Sequence, residues 1–154
     1  MMHRCANVTD LGNINTLIRE SKGFWGYSDS FLDEFMQQWG IKESYLHTNE
    51  VILLEVESNL MGLYAFKINN QQAPELDVFF VARNKIGTGV GKSMWQQALH
   101  YAFVHQWAEF EIIADPNAEQ FYERMGAKTV GTFESFPGRF VPVMMMKLNN
   151  MSSA

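Results

Sequence analysis

The chain is poor in several things, and each absence excludes something. It has one cysteine, Cys5, so no intrachain disulfide can form, which suits a reducing compartment. It has no run approaching the roughly 20 apolar residues of a membrane span. The opening MMHRCANVTDLGNIN also lacks the apolar stretch of about 7–15 residues that marks a secretory leader. A cytoplasmic protein with no membrane partner is therefore expected. Positive charge is scarce as well. Lys and Arg number 12 against 17 Asp and Glu, for a net charge of −5. Non-specific nucleic-acid binding needs a basic field, so no nucleic-acid partner is expected. The 4 histidines show no ligand spacing; His100 and His105 point about 140° apart on a helix, and no metal site is indicated.

What is present suits a packed core. Apolar residues make up 47% of the 154 residues and aromatics 14%. That length fits one domain, expected over 1–148, with the small polar tail 149–154 expected to be flexible. The 10 methionines read as adaptable core filling.

Periodicity divides the chain into elements. Residues 2–8 read as a strand, and Thr9 or Asp10 as the cap of a helix with Leu11, Ile14, Leu17 and Ile18 on one face. Ser28 or Ser30 can cap a second helix running to about Trp39. Segments 51–56 and 60–68 read as a hairpin, and 74–82 as a third strand. A helix is expected over about 89–105, then a strand over 109–114 and a short helix over 117–125 closed by Gly126. Strands over 127–135 and 139–148 finish the chain. The order β-α-α-β-β-β-α-β-α-β-β is an α/β pattern, without the regular alternation of a doubly wound fold.

"IGTGVGKSMW", Ile86 to Trp95, looks built to hold phosphate. Glycines let the backbone approach an anion, and a helix start offers unpaired N–H groups. Three patterns compete. A nucleoside-triphosphate loop needs a first glycine where Ile86 stands. A dinucleotide fingerprint needs a glycine where Lys92 stands. The coenzyme A pyrophosphate pattern [QR]-x-x-G-x-[GA] takes Gly89 and Gly91 but finds Ile86 in place of Gln or Arg. The loop alone leaves the three open.

A second segment, "ADPNAEQFYERMGAKTVGTFESFPGRFVPVMMMKL", points further. With "VFFVARNKIGTGVGKSMW" it strongly resembles the GNAT superfamily of acyl-CoA-dependent N-acetyltransferases, and the resemblance runs over nearly the whole chain. "SKGFWGY" and "PGR-x-x-P" resemble one bacterial subgroup. Ala118, Phe121, Tyr122, Glu123 and Gly126 fit the family pattern N-x-x-A-x-x-[FLY]-Y-E-x-x-G-F, whereas Asp115 takes the usual Asn position and Ala127 that of the aromatic. The resemblance implies the GNAT fold, a mixed, mostly antiparallel sheet of about six or seven strands with about four helices.

It also implies a reaction and roles. Acetyl-CoA would give its acetyl group to a small-molecule or protein amine by direct attack. Gly87, Thr88, Gly89, Val90, Gly91 and Lys92 would hold the pyrophosphate, Asn117 would stand in for the displaced Asn, and the backbone of Phe79, Phe80 and Val81 would meet the pantetheine arm and thioester carbonyl. Tyr122 would protonate the departing thiolate. Glu75 and Asp77, on one face of their strand, are candidate bases, with Glu111 a third. Phe24, Trp25 and Tyr27, with Phe136 and Arg139, are candidates for the acceptor site, Arg139 as a clamp on a carboxylate or phosphate. A homodimer is common in the family. Two rivals stand beside this reading: a non-catalytic acyl-CoA-binding module and a small P-loop nucleotide-binding protein.

Overall fold

The computed structural model describes residues 2–148, and the expected flexible tail 149–154 lies outside them. Strand β1 is Met2–Cys5. It ends before residue 8 because Asn7, rather than Thr9 or Asp10, makes the cap. The Asn7 side chain accepts from the Thr9 N–H at 3.0 Å, and the Asn7 N–H donates to Asp10 at 2.8 Å. This reciprocal box opens a 3-10 turn, Val8–Asp10, that runs into helix α1, Leu11–Gly23. Ile14, Leu17 and Ile18 of α1 are buried, as their spacing predicts. Helix α2, Asp29–Trp39, is capped by Ser28, whose hydroxyl accepts from the Phe31 N–H at 3.1 Å. A further helix, α3, spans Glu43–Thr48. At 6 residues it is too short to print an apolar period, so the sequence pattern did not reveal it.

Strands β2, Val51–Val56, and β3, Asn59–Ile68, form the expected hairpin. Its two-residue turn sets Glu57 at φ 51° and Ser58 at φ 67°. Both angles suit a primed turn, which normally takes Asn-Gly. The rest follows the sequence pattern: β4 Pro74–Val81, α4 Val90–Val104, β5 Glu109–Ile113, α5 Glu119–Arg124, β6 Lys128–Phe136 and β7 Arg139–Lys147. Among the described residues the strands lie in the order β1-β2-β3-β4-β5-β7-β6. β4 and β5 run parallel, while β1–β2, β2–β3, β5–β7 and β6–β7 are antiparallel. The architecture is the α/β class expected, with α3 added.

The chain divides into two compact units, Met1–Phe66 with Val78–Met94, and Lys67–Asp77 with Trp95–Ala154. The first has a core of Ile14, Leu17 and Ile18 from α1 against Val51, Leu53, Leu63, Ala65 and Val78 from the sheet. Asn15 secures the chain after α2: its side chain donates to the Ile41 carbonyl at 2.9 Å and accepts from the Ile41 N–H at 2.8 Å. The second unit packs around Trp95, which is 2% exposed and sits 5.7 Å from the Phe110 ring. β6, at the end of the strand order, is exposed along Lys128–Glu134. The apolar strand β7 beside it is largely buried, as its composition suggests.

Candidate active site

After β4, a 3-10 turn at Arg83–Lys85 leads into the glycine loop. Thr88 closes the loop on Lys85: its hydroxyl donates to the Lys85 carbonyl at 2.6 Å, and its N–H reaches the same oxygen at 3.2 Å. Gly87 and Gly89 stand at φ 82° and 94°. A β-carbon at either would meet nothing within 4 Å, so backbone conformation rather than space calls for glycine there. An L side chain in that region costs roughly 1–2 kcal/mol. The first helical bond of α4 runs from the Ser93 N–H to the Gly89 carbonyl at 3.1 Å. The amides of Val90, Gly91 and Lys92 therefore lie in the first turn of a 15-residue helix, where N–H groups point out along the axis and carry about half a positive charge. That is an anion cradle made of backbone, with an exposed Lys92 beside it.

The end of β4 has an edge of its own. The Ala82 N–H donates to the Met61 carbonyl of β3 at 2.8 Å, and a β-carbon on Gly62 of β3 would stand 3.0 Å from the Phe80 carbonyl oxygen. Phe80 and Ala82 thus turn their backbone groups toward β3. Strand alternation turns those of Phe79 and Val81 to the opposite edge. β4 is registered with β5 at Glu75↔Glu111 and Leu76↔Ile112, near its start, and continues to Val81.

The candidate bases form one cluster at the β3–β4 connection. Glu75 is 4% exposed, not on a solvated face. Lys67 Nζ lies 3.7 Å from Glu75 Oε2 and 3.3 Å from Asp77 Oδ1, which confirms that both carboxylates share a face. Glu111 pairs with Glu75 in register. Burial pushes the Glu75 carboxyl above its ordinary range; Lys67 pulls it back, Asp77 and Glu111 push it further, and a hydrogen bond from the Asn69 side chain opposes them. Asn69 is itself pinned, its side-chain oxygen accepting from the N–H groups of Gln71 at 3.0 Å and Ala73 at 3.1 Å. The sequence showed the acids but not Lys67 or Asn69, because only the hairpin's register brings them there.

Tyr122 lies on α5 and is buried at 6% exposure. Its ring packs 5.7 Å from Trp95 and 5.4 Å from Phe121. Burial first, and the Asp115 carboxylate second, push the phenol well above the usual tyrosine range, so it stays protonated through neutral pH. Asp115 caps the turn before α5, accepting from the Asn117 N–H at 2.8 Å and from the Asn117 side-chain amide at 3.0 Å. Its other oxygen lies 3.8 Å from Arg139. Arg139 also donates to the Ser135 hydroxyl at 2.9 Å. Asn117 and Arg139 are thus both engaged with Asp115, one of the two residues that depart from the family pattern.

Of the first-half aromatics, Trp25 is 42% exposed and Phe24 41%. Tyr27 begins a row. Its ring stacks on Phe31 at 4.4 Å, Phe31 stacks on Phe35 at 6.4 Å, and Phe35 meets Phe80 of β4 edge-on at 6.5 Å. Spacing of four residues along α2 puts 31 and 35 on one face. The buried Lys22 ammonium sits 5.3 Å from the Tyr27 ring centre and 4.7 Å from that of Phe35. The i, i+4 repeat of Tyr27, Phe31 and Phe35 is the signal in the sequence that marks this row.

Comparison with known proteins bears on the same elements. A family model described as "Acetyltransferase (GNAT) domain" matches residues 16–149. The chain belongs to the GNAT acetyltransferase family. Solved structures agree in fold. PaiA N-acetyltransferase from Thermoplasma acidophilum, in complex with coenzyme A, superposes with a TM-score of 0.78 at 18% identity, over 96% of this chain and 99% of that one. A GCN5-related N-acetyltransferase from Rhodopseudomonas palustris gives 0.78 at 15%, over 96% and 95%. A spermidine N-acetyltransferase SpeG chimera, from Vibrio cholerae and hSSAT, gives 0.70 at 22%, over 99% and 98%. At these identities the likeness bears on the fold alone. No curated protein matches the chain. Among the described residues, no helix is long and apolar enough to cross a membrane. Nor do they hold a group of three or more His, Cys, Asp or Glu placed to bind a metal ion.

Proposed function

We propose that residues 1–148 act as one N-acetyltransferase domain that moves an acetyl group from acetyl-CoA to a primary amine by direct attack in a ternary complex. The observation that carries this reading is the glycine loop. Left-handed Gly87 and Gly89 deliver the chain to a helix start whose amides make an anion cradle without help from side chains. A pyrophosphate fits such a cradle, and the open space where β-carbons would stand leaves room for close approach. Thr88 shapes the loop and Lys92 adds charge. Asn117, turned to Asp115, serves the α5 turn as much as any ligand.

Acetyl-CoA supplies an acyl carbon already activated as a thioester. The Phe79 and Val81 edge of β4 offers strand-like pairing to a pantetheine arm and N–H groups to an acyl oxygen as charge develops. Glu75 or Asp77 takes a proton from the acceptor ammonium, directly or through water. The amine's lone pair then forms the C–N bond and the C–S bond breaks with its electrons on sulfur. Tyr122, protonated and buried, gives its proton to that sulfur and is reprotonated from the nitrogen's second proton or from solvent. Trp25, Tyr27 and Arg139 stay the proposed acceptor contacts, for a small-molecule amine ahead of a protein amine. A homodimer is the proposed assembly.

The test is thiol release from acetyl-CoA across a panel of primary amines. Release with a subset of amines, abolished by omitting the amine, is expected. Stabilisation by coenzyme A with no release for any amine would favour the non-catalytic acyl-CoA-binding module instead.

A further inference from the structure

Two carboxylates on β4 compete for the role of base, and the structure treats them unequally. Asp77 Oδ1 is the nearer to Lys67 Nζ, at 3.3 Å against 3.7 Å for Glu75 Oε2. Their burial differs more. The Glu75 side chain is 6% exposed, Asp77 18% and Lys67 35%. Glu75 also faces Glu111 from β5 and the Asn69 side chain from the β3–β4 turn. One ammonium therefore serves the two β4 carboxylates, with Glu111 beside Glu75 in register, and such a cluster of like charges does not ionise with equal ease. The proton settles where desolvation is greatest and the ammonium is farther away, which is Glu75.

We propose that Lys67 is a positioning residue that divides the work between the two β4 carboxylates, pairing with the nearer Asp77 and leaving the more buried Glu75 as the group that takes the acceptor's proton. The step is a simple transfer. The acceptor ammonium loses one proton, Glu75 passes from carboxylate to carboxylic acid, and the proton leaves to solvent before the next turnover. The turn that holds Asn69, through the N–H groups of Gln71 and Ala73, does not depend on that proton. This inference rests on the acetyltransferase reading, and it names the base that reading leaves open.

The test has two arms on the full chain. In the first, carbon NMR of the glutamate carboxyls follows Glu75, assigned by its loss in Glu75→Gln. In the second, kcat/KM is measured against pH with an accepted amine. In the wild type, Glu75 should titrate above the other glutamates, and the acid limb of the rate should share its midpoint. Lys67→Met should raise both midpoints together by roughly one to three pH units, the effect of removing an opposite charge at that distance. Lys67→Arg should restore both. A Glu75 titration unmoved in Lys67→Met overturns the pairing. An acid limb that survives in Glu75→Gln but vanishes in Asp77→Asn overturns the assignment of the base. A titration that moves as expected while no amine releases thiol overturns the acetyltransferase reading instead, so the two failures are distinguishable.

Discussion

The glycine loop and the helix that carries Tyr122 reach the same end by opposite means. The loop is exposed or half-exposed, and what it offers is backbone. What is demanding there is the sign of φ at Gly87 and Gly89. Helix α5 offers a side chain, Tyr122, fixed by packing on Trp95 and Phe121 and kept protonated by burial. One region should therefore tolerate most substitutions and fail at a few backbone positions. The other should answer to core volume and to single functional groups.

Substitutions can break that contrast, and the largest effect belongs to the packed region. Trp95→Ala should cost about 3–5 kcal/mol of stability in chemical denaturation, because Trp95 is buried to 2% against Phe110, Phe121 and Tyr122. Next comes Tyr122→Phe, which keeps the ring and its packing. It should lower kcat about a hundredfold with coenzyme A affinity unchanged within about twofold, as expected when a general acid is removed. An equal loss in affinity would make Tyr122 a binding residue and erase the contrast.

Gly89→Asp comes third. It should weaken coenzyme A roughly ten- to thirtyfold by calorimetric titration, from left-handed strain of about 1–2 kcal/mol plus repulsion of the pyrophosphate. Melting temperature should change less than in Trp95→Ala. The smallest effect is expected for Lys92→Ala. An exposed charge beside a backbone cradle contributes only about 0.2–1 kcal/mol, so affinity should fall about fivefold at most. A Lys92 effect larger than that of Gly89→Asp would show that side-chain charge, not backbone, holds the anion.

The two regions were also legible to different degrees. The loop announced an anion but not which one, because all three phosphate-binding patterns use the same glycine and helix-start physics. The "FYERMG" segment pointed to the family, because an aromatic pair, an acidic residue and a helix-ending glycine stand there at the family's spacing. Long elements with a clear period, such as α1, α4 and the β2–β3 hairpin, were legible within a residue or two. Short ones were not: α3 has too few turns to print a period, and the N-terminal cap lies at Asn7 because the local box from Asn7 to Asp10 opens a 3-10 turn ahead of the helix. The candidate site was legible in its acids and its tyrosine. It was not legible in their partners. Lys67 lies eight and ten positions before Glu75 and Asp77, and only antiparallel register joins them. Arg139 read as a clamp for a ligand, yet it is tied to Asp115 and Ser135, a pairing no local pattern records.

The most direct test of the central claim is a pair of titrations on the intact chain, coenzyme A in one and Mg-ATP in the other, followed by thermal unfolding. Saturable stabilisation by coenzyme A, absent with Mg-ATP and weakened by Gly89→Asp, is what a backbone cradle for a coenzyme A pyrophosphate predicts. Stabilisation by Mg-ATP without any by coenzyme A would contradict it.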